Sequence, residues 1–232
     1  MYKLVVVDVD GTLTDSKGVI SSHVVKALER LREKKLTVIL ASGNGYPMLV
    51  SLAYYLPVKR YVIAENGGVV GFSDKVKILG DPEKAYKARG VILSKLSRYV
   101  YESWQNRFRI VDLAFQARKG YTLEFAYKKI MEVLGGMDVS VKNSGWAIHV
   151  VDAKVNKGRG LMEACKDLNV RKEEVIAIGD SETDIPLFEY SGYSIAVNNS
   201  PKELKDKADV VVNKSYSEGF IEAVKLIEKI IK

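Results

Sequence analysis

Asp8 closes the apolar run Leu4-Val5-Val6-Val7, and Asp10 follows two residues later in Asp8-Val9-Asp10-Gly11-Thr12-Leu13-Thr14. Burying an unpaired carboxylate at the end of such a run costs several kcal/mol. Two acids so close also repel one another unless a cation sits between them. Gly11 permits a tight backbone turn just beyond the pair. Three further clusters carry compatible groups: Ala41-Ser42-Gly43-Asn44, Asn156-Lys157-Gly158, and Gly179-Asp180-Ser181-Glu182-Thr183-Asp184. The hard oxygens of Asp8, Asp10, Asp180 and Asp184 suit Mg²⁺, which keeps several waters and also takes phosphate oxygens.

These clusters need elements that bring them together. Leu4 to Val7 reads as a short strand buried on both faces. Ser21 and Ser22 can cap a helix whose apolar positions Val24, Ala27, Leu28 and Leu31 follow helical spacing. Leu36 to Ala41 is a second buried strand, and Pro47 suits the first turn of a helix running through Leu52. Tyr61 to Ala64 is a third strand, ended by the turn signal Glu65-Asn66-Gly67-Gly68. Strands separated by helices of this length indicate right-handed βαβ units and a parallel sheet. The rhythm returns after Lys157, with a helix over 161–168 and strands over 175–178, 194–197 and 210–212. Short helices over 184–190 and 201–207 lie between them, and a last helix starts near Gly219. Open α/β sheets bind ligands beyond the C-terminal ends of their strands, where all four clusters are expected to stand.

Between the two halves the pattern changes. Pro82 begins a helical stretch towards Val100, expected to be disturbed at Gly90. Ile110 to Ala117 reads as a strand, and Leu123, Ala126, Ile130, Val133 and Leu134 form a helical stripe stopped by Gly135-Gly136. Val139 to Val141 and Trp146 to Val151 flank Asn143-Ser144-Gly145, a hairpin signature. Residues 81–154 hold 13 Lys+Arg against 8 Asp+Glu, and 10 of the 21 aromatics, Trp104 and Trp146 among them. A basic, aromatic-rich middle inside a nearly neutral frame marks an inserted module. The fold class expected is α/β: a Rossmann-like parallel-sheet core over 1–80 and 155–232, with an inserted α+β cap domain over 81–154.

Composition narrows the function. The 232 residues are 47% hydrophobic and 28% charged, which excludes collagen-like, low-complexity and disordered classes. No apolar run approaches the ~18 residues that span a bilayer, and Asp8 arrives too early for a signal-peptide apolar region. No membrane partner is expected. A lone Cys165 makes neither an internal disulfide nor a cysteine zinc site, so a reducing cytoplasm is the expected location. The net charge of +7 favours anionic partners, but the basic residues are scattered, which argues against nucleic acid. The charge alone does not say which anion. Monomer and homodimer both stay open.

In these residues the chain resembles the haloacid dehalogenase superfamily of phosphatases along its whole length. Asp8 to Thr14 matches the family's Asp-x-Asp-Gly-Thr-x-Thr/Val motif, Ser42 its Ser/Thr motif, Lys157 its lysine motif, and Asp180 with Asp184 its terminal acidic motif. Glu65-Asn66-Gly67 is similar to the Glu-Asn-Gly signature of Cof-like members, whose cap lies between the second and third motifs. The short cap and the stretch from Ser144-Gly145-Trp146 to Asn156-Lys157-Gly158 look most like archaeal phosphoglycolate phosphatases. Many Cof-like sugar phosphatases carry Arg after the Ser/Thr-Gly pair, and this chain has Asn44.

The resemblance implies an Mg²⁺-dependent phosphomonoester hydrolase that acts through an aspartyl phosphate on a small anionic phosphorylated metabolite, with 2-phosphoglycolate the expected substrate. Asp8 is then the nucleophile and Asp10 the acid and base, Ser42 and the Gly43 backbone bind phosphate, and Lys157 offsets its charge. Asp8, Asp10, Asp180 and Asp184 make up the metal set. Arg107 and Arg109 are the candidates to meet a substrate carboxylate. Blander readings fit other residues: His149 as a packed or hydrogen-bonded sheet residue, His23 as solvated, Cys165 as small core, and Asn198-Asn199 as a turn. Two alternatives remain, a Cof-like sugar-phosphate phosphatase or phosphomutase, and a non-enzymatic receiver-like signalling domain. The second is usually about half this length and lacks an inserted cap.

Overall fold

The computed structural model describes residues 1–73 and 75–231. Six parallel strands, β1 (Leu4–Asp8), β2 (Thr37–Ala41), β3 (Val62–Ala64), β10 (Val175–Gly179), β11 (Tyr193–Ala196) and β12 (Val210–Val211), run side by side in the order β12-β11-β10-β1-β2-β3. β4 (Val69–Phe72) and β5 (Lys75–Ile78) extend the sheet as an antiparallel hairpin beyond β3. Side chains alternate across each strand, so β1 feeds two cores. Val5 and Val7 pack with α1 (Ser22–Glu33), α2 (Tyr46–Tyr55) and α8 (Tyr216–Ile230). Leu4 and Val6 pack with α5 (Lys157–Leu168), α6 (Ile185–Glu189) and α7 (Lys202–Lys205). The continuous apolar run of β1 is the signature of a strand covered on both faces.

A second sheet lies between β5 and α5 in the chain. Its four antiparallel strands are β6 (Val100–Glu102), β7 (Asp112–Ala117), β9 (Ile148–Asp152) and β8 (Val139–Asn143), in that order. Alternation again assigns the faces. Leu113, Phe115, Ile148 and Val150 are buried against α3 (Pro82–Leu96) and α4 (Leu123–Val133). Asp112, Ala114, Gln116 and His149 therefore point the other way, and Ala114, Gln116 and His149 line a cavity shared with the large sheet.

Four local expectations change. α3 passes through Gly90 without a break and ends at Leu96, because exposed Gly90 lies within a regular helix with nothing pressed against it. Val100 instead begins β6, and Trp104–Arg107 form a 3₁₀ turn capped by Ser103. The β4–β5 hairpin went unanticipated because its strands are four residues each, with Gly71 inside the first. The Asn156-Lys157-Gly158 cluster does not follow a strand of the large sheet. Asn156 caps α5 and Lys157 is its first residue. Among the described residues no helix is long and apolar enough to cross a membrane.

Candidate active site

Asp8 ends β1 opposite Ala41 of β2, and the chain then turns through Val9–Leu13 with Gly11 at φ 91°. A Cβ on Gly11 would lie 2.1 Å from Asp180 Oδ2, so only glycine lets the first acidic loop approach the last one this closely. Asp180 follows β10, its carboxylate accepting from Thr12 Oγ1 at 3.1 Å and Asn199 Nδ2 at 3.2 Å. Asp184 is fully buried; its Oδ2 accepts the backbone N–H groups of Asp180 and Ser181. One oxygen each of Asp8, Asp180 and Asp184 lie within 4.8 Å of one another.

Lys157 meets this cluster from α5, its Nζ donating to Asp8 Oδ1 at 2.5 Å and to Asp184 Oδ1 at 2.6 Å. Burial works against its charge, but Asp184 and Asp8 outweigh it and hold the ammonium above its ordinary pKa. Burial pushes the Asp8 carboxyl well up; Lys157 opposes this, while Asp184, Asp180 and Asp10 add to it. Burial and then Asp184 raise Asp180 to about 7, against the pull of Lys157. One ammonium thus faces three crowded carboxyls. Asp8 Oδ2 is buried with no hydrogen-bond partner among the described residues. An orphaned carboxylate oxygen in an all-oxygen, electron-rich donor set fits a hard divalent cation.

Asp10 does not share its side chain with that cluster. Its Oδ2 accepts from Asn44 Nδ2 at 2.7 Å and from Ser42 Oγ at 3.4 Å. Ser42 is buried just beyond β2, and its Oγ also accepts the Asn44 backbone N–H at 3.0 Å. The metal set read from the sequence is therefore brought together as Asp8, Asp180 and Asp184, with the Asp10 carboxyl turned to the Ser42 loop. Gly43 stands between Asn66 and His149, either of which would crowd an added Cβ at 3.1 Å.

The second sheet is seated on the first by Glu65 and Asn66. Both hold positive φ, at 51° and 54°, directly after β3. The Glu65 carboxylate accepts the backbone N–H groups of Ile110, Val111 and Asp112, the shortest at 2.7 Å. Asn66 Nδ2 donates to Asp112 Oδ2 at 2.7 Å, and Asp112 also holds His149 Nδ1 at 2.9 Å and Arg109 Nη1 at 3.7 Å. Burial opposes the Asp112 charge, but His149, Arg109 and Asn66 prevail and lower its pKa.

Between the two sheets is a cavity of about 160 Å³. Asp8, Asp10, Ser42 and Lys157 form its floor, and Gln105, Arg109, Trp146 and His149 its opposite wall. Of the two arginine candidates, Arg109 is buried in that wall, whereas Arg107 is exposed in a separate groove. His149 is hydrogen-bonded in its sheet and faces the cavity as well. Asn199 reaches Asp180 instead of serving only as a turn. Asp112 and Gln105 belong to none of the sequence motifs, and Asn66 reads from the sequence only as part of a turn signature. Alternation from the buried Phe115 and Val150 would have exposed Asp112 and His149, but a 3₁₀ turn gives no comparable signal for Gln105.

The haloacid dehalogenase-like hydrolase family matches residues 5–88 and 102–224 of the chain. A phosphoglycolate phosphatase of Methanothermobacter thermautotrophicus is 34% identical over 226 residues, covering 96% of this chain and 97% of the relative. One from Archaeoglobus fulgidus is 35% identical over 230 residues, covering 97% and 96%. Among solved structures, a Thermoplasma acidophilum protein superposes with a TM-score of 0.86 at 25% identity, over 98% of this chain and 99% of its own. A haloacid dehalogenase-like hydrolase from Bacteroides thetaiotaomicron gives 0.79 at 22%, over 98% and 100%.

Proposed function

The chain belongs to the haloacid dehalogenase-like hydrolases, and from that premise we propose that it is an Mg²⁺-dependent phosphatase that converts 2-phosphoglycolate and water to glycolate and phosphate. We read residues 1–80 and 155–232 as the catalytic core and 81–154 as an inserted cap. The observation that carries the substrate is the small cavity with a reactive floor and a guanidinium in its far wall. A phosphoryl group fits against Asp8 and Lys157, and a carboxylate fits against Arg109.

The chemistry follows from the residues. Lys157 fixes one oxygen of Asp8, so the carboxylate is held rigid below the phosphoryl group. Asp8 attacks phosphorus, the P–O bond to the alkoxide breaks, and Asp10 gives the leaving oxygen its proton. Water then yields a proton to Asp10 and attacks the phosphorus of the aspartyl phosphate, releasing phosphate and restoring both acids. Ser42 and the backbone N–H groups of its loop bind phosphate oxygens. Asp8, Asp180 and Asp184 would hold Mg²⁺, which supplies positive charge to offset that of the phosphoryl group. Such transition states are loose, so positioning and charge neutralisation dominate the rate.

The test is phosphate release from a panel of phosphorylated metabolites with and without Mg²⁺. The expected result is a clear kcat/KM preference for 2-phosphoglycolate, lost with excess chelator. Equal release from every compound would defeat the substrate assignment, and full activity in chelator the metal assignment.

A further inference from the structure

The amide of Gln105, in the 3₁₀ turn of the second sheet unit, joins two places that a catalytic cycle must coordinate. Its Oε1 lies 3.2 Å from the Gly45 backbone nitrogen and 3.1 Å from Arg109 Nη2. Both of these groups can only donate, so the oxygen must face them and Nε2 must face away. Nε2 then donates to Asn44 Oδ1 at 3.2 Å. With its oxygen so engaged, Asn44 has only its NH₂ left for Asp10, and Nδ2 donates to Asp10 Oδ2 at 2.7 Å. The hydrogen bonds run in one sense from Arg109 to Asp10, across the boundary between the two sheets. Oδ2 is met by the Asn44 N–H and by Ser42 Oγ. Oδ1 has no hydrogen bond from the described residues, and Asp10 lines the cavity.

We propose that Gln105 is a positioning residue that acts through Asn44 to hold the Asp10 carboxyl with Oδ1 turned to the substrate. This rests on the reading of Asp10 as proton donor. As the substrate's P–O bond breaks, its electron pair passes to the leaving oxygen, the Oδ1–H bond breaks, and the proton moves to that oxygen. Only a properly seated second sheet supplies Gln105, so the proton donor is oriented when that unit is closed over the substrate. Gln105 itself touches no reacting atom.

Leaving groups report the role directly. A good leaving group such as p-nitrophenolate departs with little help from an acid, and phenolate needs it more. Aryl phosphates carry no carboxylate, so the test does not depend on phosphoglycolate recognition. The quantity read is the ratio of kcat/KM for p-nitrophenyl phosphate to that for phenyl phosphate, which covers only steps through departure of the phenol. Gln105→Met removes both arms of the amide. Gln105→Glu keeps an acceptor for Gly45 and Arg109 but cannot donate to Asn44. Both variants should raise the ratio about tenfold or more, a fraction of the ~10²–10⁴ that general acid catalysis contributes. Asp10→Asn sets the upper limit. A ratio within about twofold of wild type in both Gln105 variants overturns the inference. A rise in Gln105→Met alone also overturns it, since the effect then comes from the lost seat on Gly45. If Asp10→Asn leaves the ratio unchanged, the proton-donor reading has failed, and the inference falls with it.

Discussion

Asp8 and Asp10 are two residues apart, yet their surroundings prepare them for different work. Asp8 is buried, gripped by Lys157 at one oxygen and bare at the other. Asp10 is half-exposed and held by neutral amide and hydroxyl donors. Asp8→Asn should therefore keep the fold and lose all turnover, because an amide is no nucleophile at neutral pH. Asp10→Asn should be nearly inactive but accumulate protein phosphorylated on Asp8, detectable by mass; turnover in Asp8→Asn free of deamidation would rule out the covalent route. The opposite wall gives a second test. Arg109 lies 3.7 Å from the Asp112 carboxylate while lining the cavity, whereas Arg107 lines a separate groove. Arg109→Met should raise KM for phosphoglycolate about tenfold or more relative to p-nitrophenyl phosphate, given ~1.5–3 kcal/mol for hydrogen bonds to a charged group. Arg107→Met should leave that ratio alone, and equal effects of Arg109→Met on both substrates would move carboxylate recognition elsewhere.

Elements differ in how much of themselves they write into the chain. α1 was readable almost residue by residue: Ser21 accepts from Val24 N, and Val24, Ala27, Leu28 and Leu31 are the buried positions. The apolar run of β1 announced a strand covered on both faces, and Asp8 at its end announced a polar site. What the seat of the second sheet requires is not local. Glu65 and Asn66 read as turn residues, and nothing in their own segment says that three backbone N–H groups 45 to 47 residues later depend on Glu65. Likewise Arg107 and Arg109 share type and neighbourhood, and only the packed turn around Gln105 separates wall from solvent. Gly90 teaches the opposite lesson, since a residue of poor helical propensity sits in an unbroken helix because flanking Ala88 and Ile92 are buried. Its backbone is helical and a Cβ there meets nothing within 4 Å. Gly90→Ala should thus stabilise the protein by about 0.5–1 kcal/mol, read from chemical denaturation, and a loss of stability would mean that α3 needs the glycine.

At the scale of the whole molecule, folding assembles a cluster that the metal-free chain has reason to resist. β1 and β10 are neighbours in the sheet, so closing it brings Asp8, Asp180 and Asp184 together whether or not a cation is available. Lys157 answers only part of that charge. Asp180 is the member to remove, because an Asn there can still donate to Thr12 Oγ1 and accept from Asn199 Nδ2, the two groups that hold it now. Without Mg²⁺, Asp180→Asn should melt at a higher temperature than wild type, since one of three crowded carboxylates is gone. With Mg²⁺ the order should reverse. A cation bound only by the folded state at a hundredfold over its Kd adds ~2.7 kcal/mol, about 5–10 °C for a chain of this size, and the variant should gain little of it. Melting curves of both proteins across an Mg²⁺ titration test this crossing. A wild-type Tm that ignores Mg²⁺ would show that the acidic cluster is not the cation site, and a variant that gains as much as wild type would remove Asp180 from it.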